Sequence, residues 1–388
     1  MTTQFDVVVI GGGIHGVGVA QAAAVGGYRT TLLEQEGLAS GTSSRSSKLI
    51  HGGLRYLESG QIRLVRESLR EREILLRIAP SLVERKAFYI PVYAHSRRGP
   101  SLIAAGLLLY RLLAQGAHGD FQRIPARAWD TLDGLETAGL KAVFRYTDAQ
   151  TDDVALTLAV ARSAQEFGAE IQVGARFVGA DRTRSGYEVR FVRGGCVEAC
   201  HTRVLVNAAG PWVAHVLSRV QPGPPRLSHD LVQGTHIVTE GILQRGIYYT
   251  EAPADGRAVF VMPWQGRVLT GTTEHLYVGD PALVAPTPEE IAYLQEVLAH
   301  YFPRLSTHVV ASFAGLRVLP KTTQDLNARA RETVLLADRP LPWLISIFGG
   351  KLTGYRYTAE QVMARFKGVL PERAARADTR RLVLPSPH

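Results

Sequence analysis

Cysteine is almost absent from this sequence, in which only Cys196 and Cys200 occur among 388 residues. Two cysteines at this spacing, without a neighbouring pair of histidines, exclude a zinc site of the usual cysteine–histidine kind. A chain of this size that has no disulfide framework is typical of an intracellular protein. No metal site is therefore predicted.

Long apolar runs are also missing. The longest run extends from Leu102 to Ala114, but Arg111 interrupts it and it is too short to span a bilayer. A buried helix is expected there, and a helix lying in a membrane interface is the alternative. No signal or transit peptide is expected, because residues 1–4 lead directly into an apolar strand.

Acidic residues are outnumbered, with 35 Asp and Glu against 44 Lys and Arg, and the formal net charge is +9. This balance favours an anionic partner such as a phosphorylated substrate or an acidic membrane surface. No nucleic acid is expected, because the basic residues are scattered and no run interleaves them with aromatic residues. A basic surface that serves only solubility is the alternative.

A dinucleotide-binding pattern opens the chain. The β-branched run Phe5 to Ile10 predicts a buried parallel strand, and Gly11, Gly13 and Gly16 follow it at the G-x-G-x-x-G spacing before a helix. These glycines allow a tight turn, close approach of a pyrophosphate and packing of helix on strand. Glu34 ends the second strand, where a carboxylate binds the hydroxyl groups of an unphosphorylated ribose. The sequence therefore predicts a dinucleotide site that is not specific for NADP.

Two later glycine-rich turns favour FAD over NAD. Val204 to Gly210 is similar to the second strand and turn of flavoproteins, and Phe348 to Thr353 lies near the C-terminus, where it is expected to close on the flavin. This combination resembles the D-amino-acid oxidase superfamily. The predicted fold is α/β, with an FAD-binding Rossmann-like domain that has a parallel sheet and a substrate domain that has a mixed or antiparallel sheet. The expected division assigns 1–92, 148–216 and 311–370 to the FAD domain, 93–147 and 217–310 to the substrate domain, and 371–388 to a tail without core pattern.

The segment from Thr42 to Glu58 (TSSRSSKLIHGGLRYLE) resembles the signature of the FAD-dependent glycerol-3-phosphate dehydrogenases, the respiratory enzymes. Similar motifs follow in consistent order from about residue 5 to 366, and the C-terminal helical domain usual in that family is not expected within residues 367–388. The resemblance implies oxidation of sn-glycerol 3-phosphate to dihydroxyacetone phosphate by non-covalent FAD. It also implies a quinone as electron acceptor, a cytoplasmic location at the periphery of the inner membrane, and a homodimer.

The resemblance also implies roles for individual residues. His51 is expected to be the catalytic base, with His236 as the rival, because an imidazole titrates near neutrality. Arg317 is expected at the catalytic centre. The substrate phosphate requires cations, and the expected substrate-binding residues are Arg55, Tyr56, His236, Arg317, Lys351 and Thr353. The expected cofactor-binding residues are Gly11, Gly13, Ile14, His15, Gly16, Glu34, Thr42, Ser43, Ser46, Ser47, Lys48, Leu49, Gly52, Phe177, Ala208, Ala209, Gly210, Trp212, Arg317, Gly350, Lys351, Leu352 and Thr353.

Two other functions compete with this interpretation. One is another oxidoreductase of the same superfamily, acting on an amino acid or a hydroxy acid, which would need one carboxylate anchor and less charge directed at phosphate. The other is a non-catalytic FAD-binding subunit. The long signature argues against the first, and the presence of His51, Arg317 and Lys351 argues against the second.

Overall fold

The computed structural model describes residues 3–114, 121–321, 333–338 and 343–386. Within them, a nine-stranded sheet and a ten-stranded sheet form the framework of the molecule. The predicted α/β fold, with a largely parallel sheet beside a mixed one, is confirmed. The predicted domain division also covers 1–2, 115–120, 322–332, 339–342 and 387–388, which lie outside the described residues.

The described residues contain seven α-helices and nineteen strands, numbered in chain order. The helices are α1 (Ile14–Val25), α2 (Ile62–Ile78), α3 (Pro100–Leu113), α4 (Asp153–Glu166), α5 (Val213–Leu217), α6 (Pro288–Tyr301) and α7 (Tyr355–Arg365). The strands are β1 (Thr3–Ile10), β2 (Thr30–Glu34), β3 (Leu49–Ile50), β4 (Val83–Tyr93), β5 (Gln122–Ile124), β6 (Leu140–Thr151), β7 (Glu170–Val173), β8 (Arg176–Thr183), β9 (Gly186–Arg193), β10 (Cys196–Asn207), β11 (Val220–Gln221), β12 (His229–Thr239), β13 (Ile247–Glu251), β14 (Ala258–Trp264), β15 (Arg267–Gly271), β16 (His275–Tyr277), β17 (Val309–Pro320), β18 (Val334–Ala337) and β19 (Leu344–Phe348).

The first sheet has a parallel centre in the order β7, β2, β1, β10 and β19. Both faces of this centre are covered, so its strands are nearly continuous apolar runs, as the sequence predicted for Phe5 to Ile10. Helix α1 is buried on almost every side against α4 and α7. Asp152 caps the N-terminus of α4 by accepting hydrogen bonds from Val154 N and Ala155 N. The carboxyl ends of β1 and β10 lie beside the first turn of α1.

The second sheet contains the antiparallel run β12, β15, β14 and β13, in agreement with the mixed or antiparallel sheet predicted for the second domain. Strand β13 then pairs in parallel with β4, so the sheet is mixed. Strands β4 and β17 belong to this sheet, although 83–92 and 311–320 were expected in the FAD domain. Both strands are long and cross the expected boundary, because their partners β6 and β12 lie in the second sheet.

Two predictions about exposure are wrong. Helix α3 is not a buried helix, because Leu107 and Tyr110 are its buried side chains and the apolar side chains of Leu102, Leu108 and Leu112 are exposed. The segment after Pro371 does have a core residue, since Leu384 is buried within the first hydrophobic cluster and its N–H donates to Ile78 O. None of the helices in the described residues has the length and hydrophobicity needed to cross a membrane.

Candidate active site

A cavity of about 940 Å³ lies between the two sheets. Ile10 and Ala208, at the ends of β1 and β10, line it from the first sheet, and His236, Phe260 and Arg317 line it from the second. Its position at the carboxyl ends of the parallel strands is the usual place for ligand binding in a doubly wound α/β fold.

The glycine turn is shaped for a close ligand. Gly11 has a φ of +105°, in the region that favours glycine, and a Cβ at Gly16 would come within 1.9 Å of Gly11 O. Gly13 precedes α1 without any side-chain cap, and the helix has no acidic residue in its first turn. The N-terminus of α1 thus directs its partial positive charge toward the cavity, as a pyrophosphate requires.

Glu34 lies beside this turn, with its Oε2 accepting a hydrogen bond from Gly12 N at 2.6 Å. Its carboxylate also lines the cavity, where it can bind ribose hydroxyls.

His15 gives a further indication that a ligand fills this region. Its Nδ1 is buried and has no hydrogen-bond partner in the part of the chain that the structure describes. Burial lowers the pKa of His15 to about 4, so the imidazole is neutral at pH 7. A Cβ at Gly350 would come within 2.0 Å of His15 Nε2, so only glycine lets the turn from Phe348 to Thr353 approach this ring. The glycine turn, the acid and this polar atom together fit a dinucleotide such as FAD.

A cationic wall faces the cavity from the second sheet. Arg317 donates from Nη1 to Glu274 Oε1 at 3.2 Å and from Nη2 to Thr272 Oγ1 at 3.2 Å. The Glu274 side chain is fully buried, and its Oε2 also accepts from Arg257 Nη2 at 2.9 Å. One carboxylate therefore orients two guanidinium groups, both of which line the cavity.

A second group of polar side chains also lines the cavity. Lys351 Nζ lies 3.8 Å from the centre of the Tyr56 ring, which is a close cation–π contact. The His51 ring packs edge-on against Phe260, with 6.2 Å between ring centres, and its backbone N–H donates to Thr353 Oγ1 at 3.2 Å. These side chains and Arg55 all line the cavity, so it combines an imidazole with several cations.

His236 is placed differently from His51. It is fully buried on β12, stacks on Phe313 at 4.9 Å and shares a hydrogen bond of 2.9 Å between Nε2 and Ser47 Oγ. Burial, Arg317 and Lys48 lower its pKa to about 3. An imidazole held neutral so strongly is a weak proton acceptor near pH 7.

The structure brings most of the sequence-predicted residues to this one cavity. Gly16 instead packs α1 against the turn, and Gly52 packs against Tyr110 and Leu69. Lys48 has a φ of +59° and turns away to pair with Asp153 at 2.6 Å, where it lines a separate, smaller cavity. The predicted residues that line the main cavity are Gly11, Gly13, Ile14, His15, Glu34, Thr42, Ser43, Ser46, Ser47, Leu49, His51, Arg55, Tyr56, Phe177, Ala208, Ala209, Gly210, Trp212, His236, Arg317, Gly350, Lys351, Leu352 and Thr353.

Sequence reasoning missed Arg257, Glu274 and Tyr249 as components of the site. Arg257 and Tyr249 line the cavity, and Glu274 orients Arg257 and Arg317. The sequence offers one weak signal, because Glu274 directly follows Gly271, Thr272 and Thr273, which form one of the short motifs similar to the family that the signature resembles. The pairing itself depends on β14, β15 and β17 lying in one sheet, which no local pattern reveals.

Comparison with known proteins identifies the family. Residues 6–356 match the family described as FAD dependent oxidoreductase. The chain belongs to this family. Its FAD cofactor and its assignment as an oxidoreductase therefore confirm the predictions made from the glycine motifs.

Two curated relatives of this FAD-dependent oxidoreductase are similar over most of their length. The glycerol-3-phosphate dehydrogenase of Pseudomonas aeruginosa is 40% identical over 373 residues, which cover 94% of this chain and 72% of the relative. The D-erythritol 1-phosphate dehydrogenase of Brucella abortus is 37% identical over 382 residues, covering 95% and 74%. Both names describe dehydrogenases of phosphorylated polyols, and the chain falls within the glycerol-3-phosphate dehydrogenase group that its signature predicted.

A solved structure supports the same placement. The glycerol-3-phosphate dehydrogenase of Bacillus halodurans, determined in complex with FAD, superposes with a TM-score of 0.75 at 28% identity. The superposition covers 98% of this oxidoreductase and 68% of that chain. The likeness therefore extends over both sheets of this oxidoreductase.

Proposed function

We propose that this oxidoreductase converts sn-glycerol 3-phosphate to dihydroxyacetone phosphate and that a quinone takes up the electrons. The observation that carries the proposal is the meeting of Arg317, Lys351 and Arg55 with His51 in the cavity that also holds the dinucleotide turn. A phosphate with nearly two negative charges needs such cations, and Arg317 can bind it through two N–H groups. An amino or hydroxy acid would need only one such anchor.

The orientation of Arg317 follows from its neighbours. Glu274 and Thr272 each hold one nitrogen of the guanidinium, so its plane is set before the substrate arrives. Preorganisation of this kind reduces the entropy lost on binding. Lys351 lies over the Tyr56 ring and lines the same cavity, and the two cations are expected to bind the phosphate together.

The reaction needs a base for the hydroxyl proton as the carbon loses its hydride. When FAD is bound, it supplies a two-electron acceptor for that hydride. We assign the base to His51, which lines the cavity beside Thr353, and not to His236, whose pKa is lowered to about 3. The proton of the alcohol then passes to the imidazole of His51, and the C–O bond becomes the carbonyl of the product.

The surface of the molecule supports the proposed acceptor and location. The exposed face of α3 carries Leu102, Leu108 and Leu112, and Arg111 is exposed beside them. Apolar side chains flanked by basic ones suit the interface of an anionic membrane, where quinones reside. We therefore propose peripheral attachment to the cytoplasmic face of the inner membrane, and the homodimer stays a prediction.

The test is anaerobic reduction of the purified flavoprotein. Addition of sn-glycerol 3-phosphate should bleach the flavin band near about 450 nm. The Arg317→Ala variant should bind FAD but stay yellow at the same substrate concentration. Arg193→Ala is the matched control, because Arg193 forms an exposed ion pair with Glu198. It should bleach like the parent protein.

Other outcomes would redirect the proposal. Bleaching by erythritol phosphate alone would move the substrate to a longer polyol, as in the Brucella relative. Bleaching only by an amino or hydroxy acid would contradict phosphate recognition. A flavin that no substrate reduces would favour the non-catalytic subunit.

A further inference from the structure

The His51–Gly52 segment is held by hydrogen bonds on two sides. On one side, His51 N donates to Thr353 Oγ1 at 3.2 Å, and on the other, Gly52 N donates to the hydroxyl of Tyr110 at 2.8 Å. The second contact is tight, because a Cβ at Gly52 would lie 2.5 Å from the Tyr110 oxygen. The position of the His51 backbone therefore depends on the Tyr110 hydroxyl and on Asp148, whose carboxylate the Gly52 N–H also contacts.

The hydroxyl of Tyr110 is itself fixed by a buried ion pair. It donates its single hydrogen to Asp148 Oδ2 at 2.7 Å, while Arg72 Nη1 binds Asp148 Oδ1 at 2.5 Å. All three side chains are buried. Burial and Asp148 raise the pKa of Tyr110 well above its usual value, so the phenol stays protonated. The hydroxyl donates its hydrogen to Asp148, and a lone pair of its oxygen remains to accept the hydrogen bond from the Gly52 N–H.

We propose that Tyr110 is a positioning residue for catalysis, whose hydroxyl holds the His51–Gly52 segment so that the His51 imidazole faces the substrate. Tyr110 is not among the residues that line the cavity, so it acts through His51. The inference rests on the proposed function to the extent that His51 is the base. A displacement of about 1 Å in a reacting group can cost about a hundredfold in rate.

The place of Tyr110 in the fold adds a consequence. Leu107 and Tyr110 are the buried side chains of α3, whose opposite face is exposed. The packing of this surface helix on the body of the protein therefore determines the position of the Tyr110 hydroxyl relative to the backbone of His51 and Gly52. A contact that shifts α3 would displace His51, because the Tyr110 side chain and the Gly52 backbone N–H connect the helix to the His51–Gly52 segment.

The test uses Tyr110→Phe in the FAD-loaded protein, a change that removes one oxygen atom. We expect the rate of flavin reduction at saturating sn-glycerol 3-phosphate to fall about ten- to a hundredfold. The apparent Kd of the substrate should change less than about twofold, because Arg317 and Lys351 are untouched. Tyr187→Phe is the matched control, since the Tyr187 hydroxyl also binds a buried aspartate, Asp338, away from the cavity. It should reduce at the parent rate.

A second readout does not depend on turnover. In protein with isotope-labelled histidine, the ring resonances of His51, assigned by His51→Gln, should shift in Tyr110→Phe and stay in place in Tyr187→Phe. Asp148→Asn, which weakens the acceptor for Tyr110, should shift them in the same direction and so covers a failure of Tyr110→Phe to fold.

The two proposals fail in different ways. If the parent flavin is not reduced by sn-glycerol 3-phosphate, the proposed substrate is wrong, but the resonance shift still tests the positioning. If Tyr110→Phe reduces the flavin at the parent rate, or leaves the His51 resonances unmoved, the positioning role is overturned. Equal losses of thermal stability in both Tyr variants, without a rate difference, would assign Tyr110 a structural role only.

Discussion

The Glu274 carboxylate controls the cationic wall of the cavity, because it is fully buried between Arg257 and Arg317. We predict that Glu274→Gln raises the substrate concentration needed for half-maximal flavin reduction about ten- to a hundredfold, since it weakens two charge-assisted hydrogen bonds. The affinity for FAD should be unchanged. Stopped-flow reduction measures the first quantity and fluorescence titration the second.

Glu198→Gln is the control for this change, because Glu198 pairs with Arg193 on the surface and should have no effect. An unaltered half-saturation value in Glu274→Gln would show that Arg317 keeps its orientation without the carboxylate.

Two buried histidines make the stability of the fold sensitive to acid. Burial lowers the pKa of His15 to about 4 and that of His236 to about 3, whereas both take up a proton near pH 6.5 when unfolded. Below pH 6.5 the unfolded chain binds more protons than the folded one, so the free energy of unfolding falls as the pH falls. The loss is roughly 1.4 kcal/mol per pH unit for each histidine until the folded pKa is reached.

We predict that His15→Asn reduces this loss between pH 7.5 and 5, measured by urea unfolding with saturating FAD. The exposed His308 provides the control variant His308→Asn, which should leave the pH dependence close to that of the parent. A parent protein whose unfolding free energy is the same at both pH values would contradict the assignment.

At this scale the sequence predicted residue types better than their orientation. The spacing of Gly11, Gly13 and Gly16 and the acid at position 34 predicted a tight turn between a strand and a helix, and the structure has this turn beside Glu34, because local geometry requires those residues. Lys48 was placed beside the cofactor by its motif, yet its backbone conformation turns it toward Asp153. Such a turn depends on a partner 105 residues away, so no local signal announces it.

Helix α3 exposes apolar side chains on its outer face, and packing within the protein does not explain them. We predict that replacing Leu108 and Leu112 with serine abolishes binding to anionic phospholipid vesicles, because burial of each leucine contributes about 1.5–3 kcal/mol. Flavin reduction by substrate should persist, since Leu108 and Leu112 are exposed and are not among the residues that line the cavity. Vesicle co-sedimentation measures binding.

Leu158→Ser offers a matched control, because Leu158 is an exposed leucine on α4 and its loss should not affect sedimentation. Equal binding of all variants to vesicles would exclude α3 as the contact.

Among the elements, α1 and β1 followed directly from the sequence, because a strand buried on both faces and a helix buried on most sides are apolar throughout. The same reasoning failed for α3, since an apolar helix has the same composition whether protein or another surface covers it. It failed in the opposite sense for Leu384, because the short run Leu382 to Leu384 within a polar segment gives no periodic pattern, yet Leu384 enters the core. Burial of isolated residues is set by tertiary contacts, which periodicity does not encode.

At the scale of the whole molecule, residues of both sheets line one cavity, so a cofactor bound there should contact both sheets and stabilise the fold. We predict that FAD at a hundred times its Kd raises the free energy of unfolding by about 2.7 kcal/mol. The midpoint of thermal unfolding should rise with FAD concentration by several degrees. Riboflavin, which lacks the pyrophosphate and adenosine that the β1–α1 turn is expected to bind, should shift it far less.

An unfolding midpoint independent of FAD concentration would mean that FAD does not bind the folded protein in preference to the unfolded chain. Differential scanning fluorimetry with an external dye suffices for the comparison, provided that the dye does not overlap flavin emission.

The chain contains four tryptophans, and Trp212 lines the cavity whereas Trp129, Trp264 and Trp343 do not. An indole in direct reach of an isoalloxazine or adenine ring loses its emission by energy and electron transfer. Tryptophan fluorescence therefore reports how much FAD is bound. Release of FAD should increase the fluorescence intensity, and Trp212→Phe should remove most of this increase. Cofactor exchange could then be followed in real time in unlabelled protein.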